Sequence, residues 1–97
     1  MLEIRDIQQA VRATAEKYGL TKVTLFGGFA RGNARDYSDV DLLVEAPVPL
    51  GFTRGAIYNE LEMSLNRPVD IIFGAQNLYL FVRDAVDSEG IVLYEMR

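Results

Sequence analysis

The chain has 97 residues, 49% of them hydrophobic, a size that predicts one domain (1–97) with one core. It holds no cysteine and no histidine, so disulfides, thiol or imidazole chemistry and zinc on nitrogen or sulfur are excluded, leaving Mg²⁺, Mn²⁺ or Ca²⁺ on oxygen ligands. The net charge of −4 argues against nucleic acid held by bulk electrostatics, and the lack of a long apolar run or a signal pattern after Met1 predicts a cytoplasmic protein away from membranes.

Residues 4–17 carry Ile4, Ile7, Val11 and Ala15 at helical spacing, and Gly19 is placed to cap that helix. Lys22–Phe26 alternates and is rich in β-formers, which predicts a strand broken by Gly27-Gly28. A second strand over 41–45 ends at Ala46-Pro47-Val48-Pro49, because proline cannot donate to a ladder. About a dozen residues separate the two strands, too many for a tight hairpin. Thr53 is the expected N-cap of a helix over 53–65 with Ile57, Leu61 and Leu65 as its stripe, stopped by Asn66-Arg67-Pro68. Val69–Phe73 predicts a third strand, cut by Gly74. Asn77 is then expected to cap a helix over 78–88, and Ile91–Glu95 to form a last strand. The class is α/β (α+β), in the order α-β-β-α-β-α-β: a mixed sheet of about four strands with helices packed on one face.

Chemistry concentrates where the second strand begins. Asp39 and Asp41 stand two apart, so in a strand both carboxylates share a face while Val40 turns into the core. Asp70 lies between apolar neighbours in Val69-Asp70-Ile71-Ile72, where a lone ionised carboxylate costs stability unless it is paired or metal-bound. Three aspartates on neighbouring strands suit a two-metal phosphoryl-transfer site. Each feature has a plainer reading: an Asp-x-Asp turn, an edge-strand Asp70 facing water, an ordinary glycine turn at Gly27-Gly28. Glycines after a strand also let backbone amides approach phosphate oxygens. Arg31 can pair with a phosphate or with Asp36, and Ser38 can bond a phosphate or cap the second strand. Phe29 fits either the core or the site.

Gly27-Gly28, ten residues, then Asp39-Val40-Asp41-Leu42-Leu43-Val44 resembles the signature of the DNA polymerase β-like nucleotidyltransferase superfamily. Ala30-Arg31-Gly32 inside the spacer, Leu25-Phe26 before it, and the ending Gly90-Ile91-Val92-Leu93-Tyr94-Glu95 look like its minimal branch, the MNT antitoxins that partner HEPN toxins. The resemblance covers essentially the whole chain. It implies a palm-like mixed sheet that binds ATP or another NTP with two Mg²⁺, with Asp39, Asp41 and Asp70 as the catalytic carboxylates and metal ligands, Asp70 either sharing a metal or taking the acceptor hydroxyl's proton. Gly27, Gly28, Arg31 and Ser38 would hold the nucleotide. Where the family has serine, this chain has Gly28, so one side-chain donor to the triphosphate is missing.

The resemblance thus implies transfer of AMP from ATP to a hydroxyl, a tyrosine for instance, of a cognate HEPN toxin, and a hetero-oligomer with that toxin. The lack of an acceptor-binding segment in 97 residues fits an acceptor brought by a partner. Two alternatives stand beside it: a non-catalytic antitoxin that silences its partner by covering it, and a small-molecule nucleotidyltransferase. Leu78-Tyr79-Leu80-Phe81-Val82 is apolar on too many sides for one buried stripe, which predicts either an association patch or a helix buried between sheet and last strand.

Overall fold

The structure, a computed structural model, describes residues 2–96. Helix α1 spans Ile4–Tyr18 and closes on Gly19 in the left-handed conformation (φ 67°), as its sequence predicts, with the Gly19 N–H donating to the Ala15 carbonyl. Strand β1 is Lys22–Phe26. Directly after it, where a simple break was expected, Gly27–Arg31 makes a turn and a half of helix, α2. Glycine is a poor helix former, but the buried Phe29 anchors this short element in the core. Strand β2 runs Val40–Glu45, one residue earlier than its pattern suggested. Helix α3 is Thr53–Leu65, strand β3 Val69–Phe73, helix α4 Leu80–Glu89 and strand β4 Ile91–Glu95.

Both predicted side-chain caps are corrected. Phe52, not Thr53, takes the N-cap position of α3, with no side-chain hydrogen bond. Asn77 ends a single 3₁₀ turn, Ala75–Asn77, and its side-chain amide donates back to the Phe73 carbonyl at 2.6 Å. Spent on that turn, it caps nothing, and α4 begins three residues later.

The sheet order is β3-β2-β1-β4, with β1 antiparallel to both β2 and β4 and β2 parallel to β3. The α3 crossover supplies the parallel pair, as a parallel connection must. Helices α1 and α3 pack on one face, where Ile7, Val11, Ile57 and Leu61 meet Leu25 and Leu42. Every second residue of β2 (Val40, Leu42, Val44) points there and is fully buried.

The opposite face carries Thr24 and Leu43, which are register partners, and α4 packs against β1. A Cβ placed on Gly90 would lie 2.9 Å from Thr24 Cγ2. No residue of α4 is fully buried, and Tyr79, Leu80 and Phe81 are 73, 82 and 76% exposed, so the buried-helix reading of this segment is overturned. The Tyr79 and Phe81 rings stack 6.4 Å apart. Strand β3 is an outer strand, and its open edge is closed locally by Tyr58, whose hydroxyl accepts from Ile71 N–H and donates to Ile71 C=O, both at 3.1 Å. Among the described residues no helix is long and apolar enough to cross a membrane.

Candidate active site

The sheet register gathers the acidic residues. Asp41 on β2 pairs across the parallel ladder with Asp70 on β3, and on its other side with Phe26 at the end of β1. Phe26, Asp41 and Asp70 therefore stand in one row on the face away from α1 and α3, because side chains at matching register share a face. Asp39, two residues before Asp41, precedes the strand and is exposed. Val40 between them is fully buried, which holds the flanking pair outward.

Burial differs from the sequence expectation. Asp70 is exposed on the outer strand, so the desolvation cost assigned to it falls on Asp41, which is half-buried. Burial first, then the charges of Asp70 and Asp39, push the Asp41 carboxyl from 3.8 up to about 6, while Arg31 pulls it down. Asp41 thus feels both other carboxylates.

Gly27 explains how a carboxylate fits against the chain at this point. It adopts φ +76°, and a Cβ there would come 2.1 Å from Asp41 Oδ2. No other residue leaves that space, and no other takes that backbone angle without strain. Gly28 is different. Its φ is ordinary, and a Cβ would meet Asn33 Oδ1 at 3.4 Å, a normal contact. The backbone here therefore accepts a side chain, and the glycine is not demanded by space. The amides that open a helix have no carbonyl partner within it and are free to donate to an anion.

Of the other expected nucleotide contacts, Arg31 forms an ion pair with Glu89 at the end of α4 (3.6 Å), not with Asp36. Packing of α2 beside α4 creates that pairing, and both side chains are about 44% exposed, so it contributes little. Ser38 closes a turn: its Oγ accepts from Arg35 N–H at 2.8 Å. Phe29 is buried core. A residue that sequence reasoning missed is Arg67, before β3. It donates to the Ser38 carbonyl at 3.2 Å and lies 5.2 Å over the Phe29 ring. A basic residue three positions before Asp70 was the only signal for it.

Among the described residues, no three acidic side chains already stand in chelating positions. Like charges on Asp39, Asp41 and Asp70 repel one another without a cation between them. The donor chemistry nevertheless fits a hard divalent ion: three carboxylates and only oxygen donors, one of them half-buried and pushed up by that burial and by its neighbours' charge.

A model of the nucleotidyltransferase domain matches residues 7–93. The protein adenylyltransferase MntA of Thermococcus cleftensis is 34% identical over 79 residues, covering 74% of this chain and 78% of that protein. A solved minimal nucleotidyltransferase is 33% identical with a TM-score of 0.73, covering 91% of this chain and 90% of its own. A toxin–antitoxin crystal structure with AMP-PNP superposes at a TM-score of 0.77 and 20% identity, covering 93% of this chain and 74% of that one, and so shares the fold.

Proposed function

The chain belongs to the nucleotidyltransferase domain family, in its minimal MNT-type branch, and from that premise we propose that it is an antitoxin that transfers AMP from ATP to a hydroxyl, a tyrosine in the first instance, of a partner HEPN toxin. The observation that carries the reading is the Asp41 carboxyl seated on Gly27 and paired in register with Asp70. Further support comes from the relatives: one is named a protein adenylyltransferase, and another is a toxin–antitoxin pair with an ATP analogue.

Asp39 and Asp41 would hold two Mg²⁺, with Asp70 beside them. Bound Mg²⁺ supplies activation of the attacking oxygen and neutralisation of charge on the triphosphate. Gly27 and Gly28 offer backbone donors to the phosphates, with Arg31 and Ser38 at the margin of the same site. Asp70, exposed and unencumbered on its outer strand, accepts the proton of the acceptor hydroxyl as its oxygen bonds to the α-phosphorus and pyrophosphate departs. The exposed Tyr79-Leu80-Phe81 patch is a surface on which a protein acceptor would dock.

The test is transfer of label from ATP marked at the α-phosphate to a HEPN toxin of the same organism, in Mg²⁺. Labelled toxin is expected, and label lost in Asp39→Asn with Asp41→Asn. No transfer, with a working control enzyme, overturns the catalytic reading. A second reading is favoured by Gly28 alone: the chain silences its partner by covering it. Full neutralisation of the toxin in cells by that double variant would support it.

A further inference from the structure

Arg67 does not belong to the acidic cluster, yet it touches both halves of the site from beneath. Its Nη1 donates to the Ser38 carbonyl at 3.2 Å, and that carbonyl belongs to the peptide unit leading into Asp39. Its guanidinium lies 5.2 Å over the ring of Phe29, the residue after Gly28. Next to it, the Val40 N–H donates to the Pro68 carbonyl at 3.2 Å, so Arg67 sits where β2 and β3 first join. Its Nε is buried without a hydrogen-bond partner. Proteins seldom leave a buried charged donor unsatisfied, so this side chain is held here at a cost.

The two carboxylates flanking Val40 are secured differently. Asp41 lies within the ladder, paired on both sides. Asp39 lies before it, exposed, at the end of a stretch, residues 31–39, that is largely exposed. The Arg67–Ser38 bond fixes the peptide plane from which Asp39 projects, and the ring contact ties that plane to the glycine turn.

We infer that Arg67 is a positioning residue that aligns Asp39 with the Gly27-Gly28 turn and so sets the affinity of the site for divalent cations. The inference rests on the metal-site reading above. Partners that orient metal ligands typically change metal affinity by 10- to 100-fold when removed, and about tenfold is expected here.

The test uses the chain without toxin or nucleotide, with Mn²⁺ alone as the probe and its free concentration read by electron paramagnetic resonance. Arg67→Met keeps the aliphatic stem on Phe29 and deletes every donor. It is expected to weaken Mn²⁺ binding about tenfold, with Arg67→Lys, whose ammonium still donates to the Ser38 carbonyl, showing only a two- to threefold loss. Unchanged affinity in Arg67→Met overturns the inference. So does an equal loss in both variants that merely follows a fall in Tm. Should Arg67→Met fail to fold, Arg67→Lys decides: the ammonium keeps the bond and loses the planar stack, so a two- to threefold loss is expected and parental affinity overturns the proposal. Parent chain that binds Mn²⁺ but labels no toxin leaves the positioning role standing and sinks only the adenylylation. Parent chain that binds no Mn²⁺ sinks the positioning role.

Discussion

Replacing Asp41 with asparagine should make the metal-free protein more stable while destroying its chemistry. Folding holds this carboxyl half-buried beside two like charges and lifts it from 3.8 to about 6. A raised acid binds more protons folded than unfolded, so stability falls as pH rises from about 4 to about 6 and the penalty is constant above that. The lift corresponds to about 3 kcal/mol, and solvent screening of a half-exposed group reduces it to about 1 kcal/mol. For a domain of this size that is a Tm gain of about 4–8 °C. Thermal unfolding in excess chelator should show the gain in Asp41→Asn at about pH 8 and none at about pH 4. Adding Mg²⁺ should then raise the Tm of the parent and leave the variant nearly unmoved, since only the parent keeps the full ligand set. A variant no more stable than the parent at the higher pH, or equally stabilised at both, would refute the electrostatic account of the site.

Gly28→Ser should fold normally, because the site has room for a Cβ and an ordinary backbone angle, and it should raise toxin labelling by one to two decades if its hydroxyl adds about 1.5–3 kcal/mol of charged hydrogen bonding in the transition state. Labelling at or below the parent rate would show that the hydroxyl adds nothing there. Gly27→Ala, one residue away, should instead lose at least about 1–2 kcal/mol to backbone strain and lose labelling too, since its methyl displaces Asp41 Oδ2; unfolding and labelling assays together check both. Tyr58→Phe leaves the Ile71 N–H and C=O at the β3 edge without partners and should cost about 1–3 kcal/mol in denaturant unfolding, an unchanged midpoint counting against the edge-capping role.

The strands and long helices were legible because period-2 and period-3.6 patterns are punctuated here by Gly19, Pro47, Pro68 and Gly74. α2 was not, because Gly27-Gly28-Phe29-Ala30-Arg31 has the composition of a break, and only the tertiary burial of Phe29 makes it helical. Cap chemistry failed at Thr53 and Asn77 for a related reason: both residue types suit a cap, but the backbone path decides which residue stands there. Within the candidate site, the Asp-x-Asp spacing, the apolar neighbours of Asp70 and the family resemblance together singled out Asp39, Asp41 and Asp70, and the sheet register sets Asp41 beside Asp70. Which of them carries the cost of burial could not be read in the same way, since that depends on Phe26 lying beside Asp41 and on β3 being an outer strand. Arg31 with Glu89 and Arg67 with Ser38 are contacts between distant segments and have no local sequence signature.

Holding like charges side by side requires a frame that cannot slip, and the other face of the sheet supplies it. A shift of β2 by one residue would turn Asp41 into the core and bring Val40, Leu42 and Val44 out, because side chains alternate with period two. Burying each of those three is worth about 1.5–3 kcal/mol, so the shift forfeits several kcal/mol before the cost of a buried carboxylate is added. The combined cost of burial and like charge at Asp41, about 1 kcal/mol after screening, is too small to drive it. The row of Phe26, Asp41 and Asp70 is therefore maintained by apolar residues that never touch the site.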